Sequence, residues 1–286
     1  MSSYPGTVTS IDDFLITGNN MLVTETTNPI YNLTLYYENI KPETLFVWQR
    51  MLVSSRLASD SKVWTDAFQN HNSGTDNNQF IILDLKKVDT INKKIEDNAL
   101  WIIEQIPGEF ISQDVTQYLR FGYWPSYNVP FSQYFREKTC VNYYISKFKE
   151  LRDRLDYNTC SRANIFRRNQ NEINNISDIK NMLRFNDYNY DPLSKQNPGN
   201  AICGRSDLSS KSSKCSGCTD SKVSSLIDFV LHRKLYIINS PAYSQSIKPF
   251  DIKNNLCNVG NEQTFKGFPE QLAFDWIEIQ LKFFDR

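Results

Sequence analysis

The apolar runs of this chain are short. The most hydrophobic of them, residues 80–83 and 100–103, are the length of a β-strand, and no stretch of 18 or more uncharged apolar residues exists to span a bilayer as a helix. Turn formers bound each run: residues 72–78 read Asn-Ser-Gly-Thr-Asp-Asn-Asn, and Pro107-Gly108 closes the second. The spacing therefore predicts strands over residues 79–85 and 100–106, with the charged residues 86–98 as a loop between them and a second hairpin near the Pro-Gly turn.

The same reasoning extends outward. Short strands are expected at residues 7–10, 14–17 and 22–26, the last two joined by Gly18-Asn19-Asn20 as a hairpin. Leu45, Trp48, Leu52 and Leu57 recur at helical spacing and predict a helix over 41–59, with Pro42 in its first turn, followed by a shorter one over 62–68. Helices are expected at 114–120, 141–155, 161–168 and 178–185, then a Ser/Gly/Asn/Pro-rich loop over 194–214. Strand patterns resume at 222–225 and 235–239, and residues 274–284 end the chain with densely spaced aromatic and aliphatic side chains. Strands, then helices, then strands again imply an α+β layered domain rather than a βαβ winding.

Charge excludes several functions. With 32 Lys+Arg against 32 Asp+Glu in 286 residues, the chain has no field to concentrate phosphates, so neither a nucleic acid nor an anionic membrane surface is an expected partner. At 13% aromatic it is a folded protein. No phosphate-binding glycine loop and no G-x-S-x-G occurs. The two histidines, His71 and His232, are far apart in sequence and give little basis for a Ser/His/Asp triad. Cys215-x-x-Cys218 has metal-ligand spacing without a second Cys pair, so a loop disulfide or free thiols is preferred to zinc, and no cofactor or metal is expected. Two N-x-S/T sequons, at Asn32 and Asn175, are compatible with a secretory route, although the first residues lack the charged start and apolar core of a signal peptide.

Three polar features stand beside apolar structure: Glu25-Thr26-Thr27-Asn28, Tyr123-Trp124-Pro125-Ser126-Tyr127-Asn128 and Cys160-Ser161-Arg162-Ala163. The residues alone read as a turn cap at Asn128 and an ion-paired Arg162. They also carry another chemistry: an amide can donate to a developing oxyanion, and a guanidinium fork can fix a carboxylate or acyl oxygen.

These blocks, in order, resemble the phospholipase B-like family. Ser2-Ser3-Tyr4-Pro5-Gly6, Asp12-Asp13-Phe14, Glu25-Thr26-Thr27, Asn72-Ser73-Gly74-Thr75, Glu104-Gln105-Ile106-Pro107-Gly108 and Tyr123 to Asn128 carry the resemblance in the first half. Arg162-Ala163-Asn164-Ile165-Phe166-Arg167-Arg168, Arg184-Phe185-Asn186-Asp187-Tyr188, Asp191-Pro192-Leu193-Ser194 and Arg205-Ser206-Asp207-Leu208 carry it onward. The resemblance implies an N-terminal nucleophile hydrolase with a four-layer αββα fold, secreted or lysosomal, matured by self-cleavage that frees a nucleophilic cysteine. By similarity Asn128 supplies the oxyanion donor, Arg162 braces the nucleophile end of the pocket, and Thr27 lines it. The expected activity is hydrolysis of acyl ester or amide bonds of lipids through a cysteine acyl-enzyme.

The chain departs from the family at one point. The family's nucleophilic cysteine lies upstream of the Ser-Tyr-Pro-Gly block, whereas the first cysteine here is Cys140. The expectation is a single domain over 1–286, corresponding to most of the family's large C-terminal fragment, N-terminally incomplete and inactive alone. Its expected partners are an acyl substrate and the upstream N-terminal fragment of the same precursor. The alternative is a catalytically inactive secreted or lysosomal glycoprotein with a binding role.

Overall fold

The computed structural model describes residues 13–209, 217–252, 267 and 269–280. The chain divides into two compact units, Met1–Tyr157 and Asn158–Arg286. In the first, β1 (Phe14–Ile16), β2 (Met21–Thr27), α1 (Thr34–Asn39), α2 (Val47–Leu57), α3 (Ser61–Phe68) and β3 (Asn78–Asp84) come first. A two-residue ribbon, β4 (Val88–Asp89) and β5 (Lys94–Ile95), precedes β6 (Leu100–Ile106) and β7 (Glu109–Asp114). Four short helices follow: α4 (Thr116–Arg120), α5 (Gln133–Lys138), α6 (Val141–Lys147) and α7 (Arg152–Leu155).

Five of the strands form one antiparallel sheet in the order β1-β2-β3-β6-β7. The alternation of β3 explains why the sheet is buried on both sides. Phe80 and Ile82 point into a core with Trp64 and Phe68 of α3 and Val47 and Met51 of α2. Ile81 and Leu83 point the other way, against Leu100, Ile102, Val115, Trp124 and Phe131. Trp64, Phe68 and Phe80 meet at centroid separations of 4.5–6.2 Å. Beside them the buried Arg50 guanidinium lies 4.1 Å from the Phe68 ring centroid and donates to the Asn70 carbonyl and to Gln105 Oε1. Gln105 in turn donates to the Thr75 carbonyl at 3.1 Å, so the polar turn before β3 is tied to β6. At the β6–β7 hairpin, Gly108 has φ +82°, and a Cβ there would stand 2.3 Å from Asn39 Oδ1.

In the second unit, α8 (Ser161–Asn169) and α9 (Ile176–Leu183) are followed by β8 (Ser221–Val223), α10 (Leu226–His232) and β9 (Lys234–Ile238). Then come β10 (Phe250–Asp251), β11 (Gln271–Leu272) and β12 (Ile277–Gln280). The antiparallel order β12-β9-β8 gives a second, smaller sheet. A Cys203–Cys218 disulfide closes part of the long loop. Two arginines grip carbonyls in this unit: Arg205 donates to those of Ala242 and Lys248 and pairs with Asp207, and Arg184 donates to those of Ser240 and Pro241.

The α+β reading agrees with this architecture, and several boundaries move. The helix expected over 41–59 starts only at Val47, because Leu45 donates its N–H to the His71 carbonyl and bridges Asn72, which draws residues up to Phe46 out of the helix. Pro42 therefore lies in the preceding loop. The expected helix over 141–155 breaks at Phe148, where the backbone is extended (φ −121°, ψ 94°). The helices α1, α5 and α10 have no counterpart in the sequence reading; they have six or seven residues, less than two turns, too few for a period to be read. The C-terminal aromatic segment is not tightly packed where it is described, since Phe274 and Ile277 are 42% and 57% exposed. The strand expected at 7–10 and residues 281–284 lie outside the described residues.

Candidate functional site

The pairing of β2 with β3 places Thr26 opposite Gln79 and Thr27 opposite Asn78. This end of the sheet is polar where the middle is apolar, and Thr27 is exposed while Asn28 is buried. Asn28 carries the chain on by donating its N–H to the Asn77 carbonyl at 2.9 Å.

The segment from Tyr123 to Ser132 comes up against this end. Thr26 Oγ1 and Ser126 Oγ are hydrogen bonded at 2.5 Å. Asn128 Nδ2 donates to the Thr27 carbonyl at 3.0 Å. Asn128 holds φ +59°, a left-handed conformation that Asn tolerates better than most residues, between the buried Tyr127 and Val129. Two of the three candidate residues are therefore in direct contact, and the bond fixes which way the amide faces.

What holds the segment is a buried carboxylate. Glu104, in the middle of β6, accepts hydrogen bonds from the backbone N–H groups of Phe131 and Ser132 at 2.6 and 2.8 Å and from Gln79 Nε2 at 2.9 Å. Arg136 donates to the Pro130 and Phe131 carbonyls at 2.7 and 2.6 Å. The stretch after Asn128 is thus gripped by its N–H groups from one side and its carbonyls from the other. Burial raises the Glu104 carboxyl above its ordinary range, against the pull of its three hydrogen bonds and the Arg136 charge. Trp124, Phe131, Tyr118 and Tyr157 pack edge to face around the same segment.

On β2, two residues before Thr27, Glu25 faces other acids. Its carboxyl is pushed up to about 8 by burial first, then by a hydrogen bond with the Asp13 side chain and by the charges of Asp13 and Asp76. Burial also raises Asp76. Several buried polar atoms of this region have no partner among the described residues: Glu25 Oε2, both side-chain atoms of Asn28, Asn78 Oδ1, Gln79 Oε1 and Trp124 Nε1. Native interiors satisfy most such atoms with protein groups or ordered water, so this region holds polar atoms that the described protein groups leave unmatched.

The third candidate, Arg162, belongs to the second unit, in the first turn of α8 after the buried Cys160 and Ser161. Of its neighbours, Arg168 forms a two-pronged pair with Asp191, both bonds 2.8 Å, and Arg167 donates to Asn164 and to the Asn158 carbonyl. His71 lies in an exposed turn and His232 at the exposed end of α10. Cys218 is bonded to Cys203, so it does not act as a thiolate ligand with Cys215, which lies outside the described residues. Among the described residues no cluster of three or more His, Cys, Asp or Glu is arranged to hold a metal, and no helix is long and apolar enough to cross a membrane.

Reading the sequence missed Glu104, Gln79 and Arg136 as the frame of the site. One signal was present: Glu104 is a charge inside the apolar run 100–106, and a charge in a doubly buried strand needs partners.

The sequence profile of the phospholipase B family matches residues 1–279. "Phospholipase-B 81" of Drysdalia coronoides is 38% identical over 281 residues, covering 98% of this chain and 48% of the relative. "Phospholipase B-like 1" of Rattus norvegicus is 38% identical over 281 residues, covering 98% and 49%. "Phospholipase B-like protein D" of Dictyostelium discoideum is 38% identical over 285 residues, covering 97% and 49%. The chain thus spans about half the length of the curated relatives it matches. A match that runs through every strand and helix described above, on a sheet that brings Thr27 and Asn128 together, makes this chain a member of the phospholipase B family.

Proposed function

We propose that this chain is most of the large fragment of a phospholipase B-like hydrolase, a single αββα N-terminal nucleophile domain that cleaves acyl ester or amide bonds of lipids. Supporting the reading are the family membership and one observation above all: Asn128, in a left-handed conformation, holds its Nδ2 against the Thr27 carbonyl. In this reading the sheet end at Thr27, with the Asn128 amide bonded to it, forms the floor of an acyl pocket, and Arg162 has the bracing role that the family resemblance gives it. The nucleophile is the cysteine that self-cleavage frees at the start of the large fragment, ahead of the region that this chain matches.

The chemistry follows from those roles. The thiolate attacks the acyl carbonyl, Asn128 donates a hydrogen bond to the oxyanion, and the alcohol or amine leaves with a proton supplied by the cysteine's own α-amine. Water then attacks the thioester and returns the free acid. The family's secreted or lysosomal setting agrees with a Glu25 carboxyl that stays protonated through the acidic range.

The test compares two proteins on a lipid acyl ester: residues 1–286 alone, and the same residues joined to an upstream segment that carries the cysteine. The proposal expects hydrolysis only from the second. Hydrolysis by residues 1–286 alone, or none from the joined protein when it is folded and cleaved, contradicts it.

A further inference from the structure

Two sequons stand in the sequence, and the fold treats them differently. Asn32, in the Asn32-Leu33-Thr34 sequon, is half-buried before α1. Its Nδ2, the atom that would carry a sugar, donates to the Lys138 carbonyl at 3.2 Å, and its backbone N–H donates to the Thr139 carbonyl, also at 3.2 Å. A glycan there would have to leave a half-buried amide, one of whose two N–H groups is already committed to α5.

Asn175, in the Asn175-Ile176-Ser177 sequon, is the exposed N-cap of the eight-residue α9. Capping uses only its oxygen: Oδ1 accepts from the N–H groups of Ser177 at 2.8 Å and Asp178 at 3.2 Å. Asp178 returns the bond, its Oδ2 accepting from the N–H groups of Asn174 at 2.8 Å and Asn175 at 3.1 Å. Nδ2 has no hydrogen-bond partner among the described residues, and the residue as a whole is exposed. The cap therefore survives substitution on nitrogen, because an N-glycosidic amide keeps its carbonyl oxygen. The Cys203–Cys218 disulfide in the same unit is of the kind that forms and persists in oxidising compartments, where N-glycosylation also occurs.

From this geometry we infer that Asn175 is the N-glycan acceptor of this chain and that Asn32 is not. Asn175 Nδ2 forms a C–N bond to the anomeric carbon of an oligosaccharide held on a polyprenyl diphosphate. The C–O bond to the diphosphate breaks, the diphosphate leaves with the electron pair, and one amide proton passes to the transferring enzyme. The inference rests on the secretory route proposed above, and the test separates the two by supplying the route.

Residues 1–286 are translated behind a cleavable secretion signal in the presence of endoplasmic-reticulum microsomes, and only chains protected from added protease are read. The wild type is expected to show one endoglycosidase-sensitive shift, which Asn32→Gln keeps and Asn175→Gln loses. Ser177→Ala is the second variant, since it destroys the sequon while leaving the Asn175 cap and the Ser177 N–H in place; it too should lose the shift. Protected wild-type chains without a glycan, or a shift that survives Ser177→Ala and disappears in Asn32→Gln, overturn the inference.

Discussion

The clearest consequence at the scale of single residues concerns Glu25. A glutamate in the unfolded chain titrates near 4.5, and in the fold Glu25 titrates near 8. The native state therefore binds the extra proton between those values, so the stabilisation from this group is complete below pH 4.5 and is lost as pH rises toward 8. Thermal unfolding between pH 4.5 and 8 should show a falling melting temperature in the wild type and a flatter profile in Glu25→Gln, which carries no titrating proton. Parallel profiles for the two proteins would remove Glu25 from this role. Residue identity alone did not announce this behaviour. Glu25 was legible as part of a polar block beside apolar structure, whereas its high titration point depends on burial beside Asp13 and Asp76, two turn residues at φ +59° and +53° that no local pattern brings together. Thr27 and Asn128 were named from the resemblance, and their contact is a product of strand register and of the segment Glu104 holds in place.

At the scale of elements, Glu104 is the tie between β6 and the segment that presents Asn128. Replacing it with Ala leaves two backbone N–H groups and the Arg136 guanidinium without their carboxylate. Breaking a buried charged network of this kind costs on the order of 3 kcal/mol or more. Urea denaturation should show that loss in Glu104→Ala and a smaller one in Glu104→Gln, whose amide oxygen can still accept; a change under ~0.5 kcal/mol for Glu104→Ala would argue against the clamp. The Cys203–Cys218 bond joins residues 15 apart in sequence. Removing it with the double Ser variant should destabilise the second unit by ~3 kcal/mol in the chain-entropy account, measured by the same denaturation with the reduced wild type as a control. Which elements could be read follows the same physics. The strands β3 and β6 announce themselves through the apolar runs 80–83 and 100–103 that burial on both faces demands. The start of α2 does not, because a long-range bond from Leu45 to the His71 carbonyl overrides a continuing helical pattern. β7 is an edge strand with mixed faces and owes its place to Gly108 and its partner β6, neither of which shows in its own six residues.

On the scale of the whole molecule, the family match covers 279 of 286 residues while the chain spans about half of its relatives' length. The balance of 32 basic and 32 acidic residues disfavours a polyanionic partner, and that much was legible from composition. The place given to Arg162 came from the resemblance alone, since its helix is polar in pattern and Arg168 alongside it is a plain ion pair with Asp191. The proposed function turns on Asn128 as the oxyanion donor of an acyl transfer. Turnover of a lipid acyl ester, by the protein that includes the upstream cysteine segment, tests it most directly. Asn128→Ala should lower kcat by about 10²–10³ by loss of an oxyanion donor, and Arg162→Lys should lower it despite keeping the charge, because the planar fork of donors is gone. Wild-type turnover in a folded Asn128→Ala protein would contradict the account.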